Sequence, residues 1–236
     1  MQLARAAGAV GEALQAASHS VKREGRPARS QVVRAGLSTA AAILHGQRLL
    51  DAMRSASPTS ELHLVTGEAP AMLAAMLRGE LDFVVAPKPR RHARPDLLRK
   101  VIYTSQPKVY ARLDHPLAGA TSLEELREGD WVVAGKAGTP GNSIEEAFRV
   151  RGLGQPRIAV QCNDYSLLVH MVETSMLLGV VSHPALINAS RRRSIRALDI
   201  VDGLPRYEVC LFWHPERHSK ERAIVKAAIQ ALLEVE

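Results

Sequence analysis

The strongest constraint on this chain is an alternation of two hydrophobic periods, played twice along its length. Gln31 to Leu37 reads as a strand and Thr39 to Met53 as a helix opened by Ser38 or Thr39. Glu61 to Thr66 alternates apolar and polar residues, the pattern of a half-exposed strand. Pro70 to Arg78 is a helix with proline in its first turn and Gly79 as its stop, and Asp82 to Ala86 follows as a buried strand. A β-α-β-α-β run demands long crossovers, and right-handed crossovers give a parallel sheet.

Leu97 to Arg112 reads as two strands broken at Gln106-Pro107, after which the same grammar restarts. A short helix is expected at Leu123 to Glu128, a strand at Trp131 to Ala134 and a helix at Asn142 to Arg151. Arg157 to Cys162, Asp164 to Thr174 and Leu177 to Ser182 read as strand, helix and strand. Tyr207 to Trp213 is a closing strand and Lys220 to Val235 an amphipathic closing helix. Two tandem α/β units follow from periodicity alone, and 236 residues suffice for both cores without a metal or disulfide staple.

Met1 to Glu24 carries small or apolar residues at Leu3, Ala7, Val10, Leu14, Ala17 and Val21, a narrow helical stripe ended by Gly25-Arg26-Pro27. Such a stripe needs cover, either its own domain or a second chain. Cys162 and Cys210 both sit in apolar strand-like runs, which points to buried core residues in a cytoplasmic chain. No apolar run reaches the length of a membrane span, and no signal peptide is expected.

The net charge of +7 is concentrated between Lys88 and Arg94 and at Arg191-Arg192-Arg193. Without zinc-finger spacing or a placeable helix-turn-helix, and with 4% aromatic residues, these runs read as solvated loops rather than a nucleic-acid platform. Catalytic templates are missing: there is no G-x-S-x-G, H-E-x-x-H, P-loop or G-x-G-x-x-G. No catalytic residue, metal ligand or cofactor is therefore assigned. His115, before Pro116, reads as a structural turn residue.

Four loops follow a strand and open a helix: Ser38-Thr39, Gly67-Glu68-Ala69-Pro70, Gly135 to Ser143, and Asn163-Asp164-Tyr165. In open α/β sheets such loops border the ligand crevice, and helix N-termini favour anions by about 0.3–1 kcal/mol each. The glycine-rich Gly135 to Ser143 segment is the best candidate for backbone contact with an anion, against the plainer reading of a strand-to-helix turn.

Leu77-Arg78-Gly79-Glu80-Leu81-Asp82-Phe83, then His115-Pro116-Leu117-Ala118, then Met171-Val172 stand in an order that resembles the effector-binding half of LysR-type bacterial transcription regulators. The likeness runs from about Arg34 to Leu233 and includes Ser122 to Leu126 and the Gly152 to Arg157 stretch. It implies two α/β subdomains of the type 2 periplasmic-binding-protein fold, joined by two crossover strands and preceded by a linker helix. It divides the chain into a linker or dimerisation helix at 1–30, subdomain I at 31–107 and 208–236, and subdomain II at 108–207.

The resemblance also implies a small-molecule effector, an organic anion such as an aromatic carboxylate or sulfonate. The pocket positions it implies are Ser38, Thr39, Gly67, Glu68, Ser105, Gly138, Thr139, Pro140, Asp164, Tyr165, Ser182 and His183. Homodimers or homotetramers are expected, with DNA contacted only through a winged helix-turn-helix that this chain lacks. Two departures stand out: Ser175 and Leu177 replace glycines usual in the family, and Ser182 stands where proline is common. A solute-binding protein outside transcription is the alternative reading, and an enzyme using the same cleft the third.

Overall fold

Strand β1 (Val32–Leu37) buries Val33, Ala35 and Leu37 completely, while Arg34 turns outward and Gly36 admits Leu81 to within 2.8 Å of the place a Cβ would occupy. The computed structural model describes residues 32–89, 97–188, 190–215 and 223–234. The expected first helix, the cations at 90–94 and the ends of the closing helix lie outside the described residues.

After β1 come α1 (Thr39–Ala56), β2 (Glu61–Thr66), α2 (Ala69–Arg78) and β3 (Phe83–Pro87). Both β2 and β3 pair parallel to β1, as the crossover argument requires. Gly79 closes α2 in the left-handed conformation at φ 83°, its N–H directed to Ala75 and Met76 carbonyls. Strands β4 (Leu98–Ser105) and β10 (Tyr207–Trp213) complete this sheet, with β10 antiparallel to both β3 and β4 in the order β2-β1-β3-β10-β4. The closing helix α5 (Ala223–Leu233) packs with α1 on one face of the sheet, and α2 covers the other.

The second sheet has the order β7-β6-β8-β5-β9. Its members are β5 (Lys108–Arg112), β6 (Asp130–Ala134), β7 (Arg157–Cys162), β8 (Leu178–Val181) and β9 (Ile195–Ala197). Helix α3 (Ile144–Arg151) lies on one face with Trp131 and Phe148 at its centre, and α4 (Tyr165–Thr174) lies on the other. Each lobe is thus a sheet covered on both faces, and the central strands β3 and β8 are apolar throughout.

Leu123 to Glu128 is not the expected helix. Ser122 and Glu125 form a reciprocal cap, with Ser122 Oγ donating to Glu125 Oε1 at 2.9 Å, but only i+3 turns follow. Six residues are too few to repay helix nucleation, and Gly129 ends the turn under Leu178. Leu123 and Leu126 still reach the core. Strand β2 is more exposed than its alternation implies, because it is a sheet edge. Strand β9 has three residues, too few to show a period. Cys210 is buried as expected, but Cys162 is only half-buried at a strand end, and both thiols are free. No described helix is long and apolar enough to cross a membrane.

Candidate functional site

The four helix-entry loops meet between the two lobes. Ser38 caps α1: its N–H donates to the Val85 carbonyl at 2.8 Å and its Oγ accepts from Ala41 N at 3.4 Å. Thr39 follows half-buried, and Ala40 packs into the second lobe's core beside Leu186 and Ile187. Gly67 and Glu68 are exposed, and Glu68 Oε1 lies 3.6 Å from where a Cβ on Gly135 would stand. The Gly67-Glu68 loop therefore faces the glycine-rich loop of the other lobe.

That loop is held by its own polar groups. Gly138 sits at φ +81°, a conformation that favours glycine. The Thr139 hydroxyl lies 2.7 Å from Lys136 O and 3.2 Å from Ala134 O, and Pro140 opens a 3-10 turn over Pro140–Asn142. Helix α3 starts later than expected because this turn comes first. Asp164 caps α4, its carboxylate accepting from Ser166 N at 2.5 Å and Leu167 N at 3.2 Å. Asp164→Ala is expected to cost about 0.5–2 kcal/mol of stability in chemical denaturation; an unchanged midpoint would deny the cap any weight.

Tyr165 turns its hydroxyl onto Gly141, 2.5 Å from the virtual Cβ. Ser182 is buried, and its carbonyl accepts from Ser105 Oγ at 3.0 Å and Tyr207 OH at 2.6 Å. His183 accepts from Ala185 N at 3.1 Å and stands edge-on to Tyr103, centroids 5.5 Å apart. Burial pushes the phenols of Tyr103, Tyr165 and Tyr207 above their ordinary value. They remain protonated near neutral pH, so the cleft floor is uncharged and rich in hydroxyl groups. The hydroxyl of Ser105 is committed to holding the lobes together, not left open to solvent.

An open groove of about 450 Å³ is lined from both lobes, by Gly138, Thr139 and Pro140 on one side and Lys88, Tyr207 and Glu208 on the other; of the expected pocket positions only Gly138, Thr139 and Pro140 line it. Arg206 and Glu146 complete its charged rim. Lys88 Nζ pairs with Glu208 at 2.8 Å and holds that carboxyl below the usual range. Arg206 Nε donates to Gln106 Oε1 at 3.2 Å.

Sequence reasoning missed Lys88, Tyr103, Arg206 and Tyr207. Lys88 belongs to a run that reads as solvated, yet it is ion-paired on the groove wall. Tyr103 and Tyr207 carry a usable signal: β4 and β10 are both expected from the sequence, and the two tyrosines sit on one pair of strands, opposite Val209 and Ser105 respectively. The Arg191–Arg193 run forms a short 3-10 turn away from the groove. His115 is structural, accepting from Leu117 N at Nδ1 and approaching Met176 O at 3.0 Å through Nε2.

Residues 27–236 match the family model described as the LysR substrate binding domain. The fold is shared with the Synechocystis PCC6803 CcmR regulatory domain in complex with 2-PG, at TM-score 0.71 and 19% identity, covering 86% of this chain and 96% of that one. A probable transcriptional regulator from Pseudomonas aeruginosa matches at TM-score 0.69 and 20% identity, covering 100% of this chain and 78% of its own. The BenM effector binding domain with its effector benzoate matches at 0.65 and 14% identity, over 87% of this chain and 91% of that one. With its two covered five-stranded sheets and its helix-entry loops meeting between them, the chain belongs to the LysR substrate-binding domain family.

Proposed function

We propose that the chain is the effector-sensing domain of a LysR-type transcription regulator that takes a small organic anion between its lobes. The observation that carries this reading is the groove walled by Thr139 and Pro140 from one lobe and Lys88 and Tyr207 from the other, with Arg206 at its rim. A ligand there touches both lobes and favours one angle between them, and it shifts the balance only by its differential affinity for the two states. Lys88 and Arg206 supply charge-assisted donors, Thr139 supplies a neutral one, and Tyr207 offers a flat face to an aromatic body. The benzoate bound by the BenM domain is a carboxylate of this class.

In this reading subdomain I is 31–107 with 208–236 and subdomain II is 108–207, except that Tyr207, which opens β10 of the first sheet, goes with subdomain I; residues 1–30 are the linker or dimerisation helix. The protein works in the cytoplasm as a homodimer or homotetramer, and DNA is reached through a winged helix-turn-helix. Exposed Ile43 and Leu44 on α1, with Leu64 of β2 beside that helix, offer an apolar face for such association.

The test is a thermal-shift screen with aromatic and aliphatic carboxylates and sulfonates. An anion at about 100 times its Kd should stabilise the fold by roughly 2.7 kcal/mol. Lys88→Met or Arg206→Met should then weaken that anion about tenfold or more, the worth of one charged hydrogen bond. Thr139→Ala and Ser38→Ala should weaken it less, because both hydroxyls are already engaged by their own loops. Stabilisation by neutral compounds alone, or an anion indifferent to all four substitutions, would rule the reading out.

A further inference from the structure

The contact between the lobes contains a stack of three rings that no effector contact explains. His45 projects from the buried stripe of α1, formed with Ala41, Leu49 and Met53, and is itself only 6% exposed. Its ring lies 5.9 Å from Tyr103 on β4, and Tyr103 lies 5.5 Å from His183, which enters from the end of β8 in the other lobe. His45 Nε2 and Tyr103 OH are both buried without a hydrogen-bond partner among the described residues. The first turn of α1 packs beside this stack, with Ala40 in the second lobe's core next to Leu186.

We propose that the His45–Tyr103–His183 stack is a proton-operated latch: with uncharged imidazoles it holds α1 against the second lobe, and protonation releases it. An imidazolium at His45 would be enclosed among rings with no acceptor on Nε2 among the described residues, and burying an unpaired charge is costly. The charges that bear on His45 are Arg48, one turn along α1, and His183 across the junction; neither is a carboxylate that would favour a proton. Facing it from β4 is Tyr103, backed by Tyr207 of β10, and both phenols stay protonated. His183 is bonded through Nδ1 to Ala185 N, a contact that requires that nitrogen to be an acceptor. A second proton on the His183 ring would break it.

Burial lowers both imidazoles from their ordinary value near 6.5, and Arg48 and then His183 add to the effect on His45. The released form therefore takes up protons more readily than the latched form. Latching is at full strength above about pH 6.5 and is lost as the pH falls through the lowered values. The latch borders the cleft floor through Tyr103 and His183, but its test uses no ligand, so its failure and that of the effector reading are distinguishable.

The test compares the full chain with the His45→Leu/His183→Asn double variant, in which leucine keeps the packing and asparagine keeps an acceptor for Ala185 N. Amide exchange at residues 40–45 and 185–187, corrected for intrinsic rates, should rise about tenfold in the native chain between about pH 7.5 and about pH 5.5, while far-UV circular dichroism stays constant. The double variant should show no such rise. Imidazole proton titration by NMR in the native chain gives a second readout, with both rings expected to titrate below the ordinary value and in step with the exchange. Equal acceleration in the variant overturns the proposal. So do native imidazoles that titrate normally while exchange at the junction stays flat. Should the double variant fail to fold, the native titration alone decides between these outcomes.

Discussion

Replacing Gly141 with alanine is expected to cost about 1–3 kcal/mol of stability and to dislodge Tyr165 from the cleft floor. The added methyl would stand 2.6 Å from the Ala134 carbonyl oxygen and 2.5 Å from the Tyr165 hydroxyl. Ala134 ends β6 in register with Cys162 of β7, so its carbonyl cannot retreat without straining the ladder. Tyr165 can swing away, but its ring would then leave the second lobe's core, against which it packs. Either escape disturbs the loop that carries Gly138, Thr139 and Pro140, so the affinity for the anion found by screening should fall as well. Denaturant unfolding and titration calorimetry measure the two losses. Adding Tyr165→Phe removes the closer oxygen and should restore part of the stability, a coupling that a double-mutant cycle resolves. An alanine variant as stable as the native chain would mean that the loop is not packed as described.

The architecture is legible in the sequence because its signals are local. Ser38 and Asp164 stand in loops that open helices, Gly79 is a helix stop, and the structure uses all three in those roles. The break at Gln106-Pro107 falls between β4, in one sheet, and β5, in the other. Periodicity fails where an element is too short to have a period, as with β9 and the Leu123 to Glu128 turn. It also cannot say whether a strand will be an edge, so the alternation in β2 understates its exposure.

The candidate site is legible only in its loops. Glycines, hydroxyls and caps mark where a chain turns, and they mark Gly67, Gly138 to Pro140 and Asp164. The groove's cations and the tyrosines of its floor come from residues whose local context is ordinary. Lys88 stands beside other cations in the sequence, and only the pairing of β10 with β3 brings Glu208 to it. Ser105 and Ser182 are expected from the family resemblance to face a ligand, but the fold places them against each other. Such distinctions depend on long-range pairing.

Phe148→Ala should cost more than the loss of any cap or loop contact in the molecule, at about 3–5 kcal/mol. Phe148 is fully buried on α3 and meets the Trp131 ring edge-on, centroids 5.9 Å apart and planes at 85°. Its neighbours cannot collapse into the gap: Trp131 is fixed on β6 between Ile158 and Leu178, and Leu123, Leu126 and Ile144 are themselves fully buried. A loss of that size should lower Tm by roughly 6–20 °C for a chain of this length. The two tryptophans make the consequence readable, because Trp131 lies in the second sheet and Trp213 in the first. If the lobes unfolded independently, only the Trp131 environment would melt early. The Ser105–Ser182 hydrogen bond, the Tyr207–Ser182 hydrogen bond and Ala40 in the second lobe's core tie the lobes together, and the chain crosses between the sheets at Gln106-Pro107. Both tryptophans are therefore expected to report one transition, moved down together. A split, with Trp213 unmoved while Trp131 melts early, would mean that these contacts do not couple the lobes, and a ligand reaching across them would then have to supply the coupling itself.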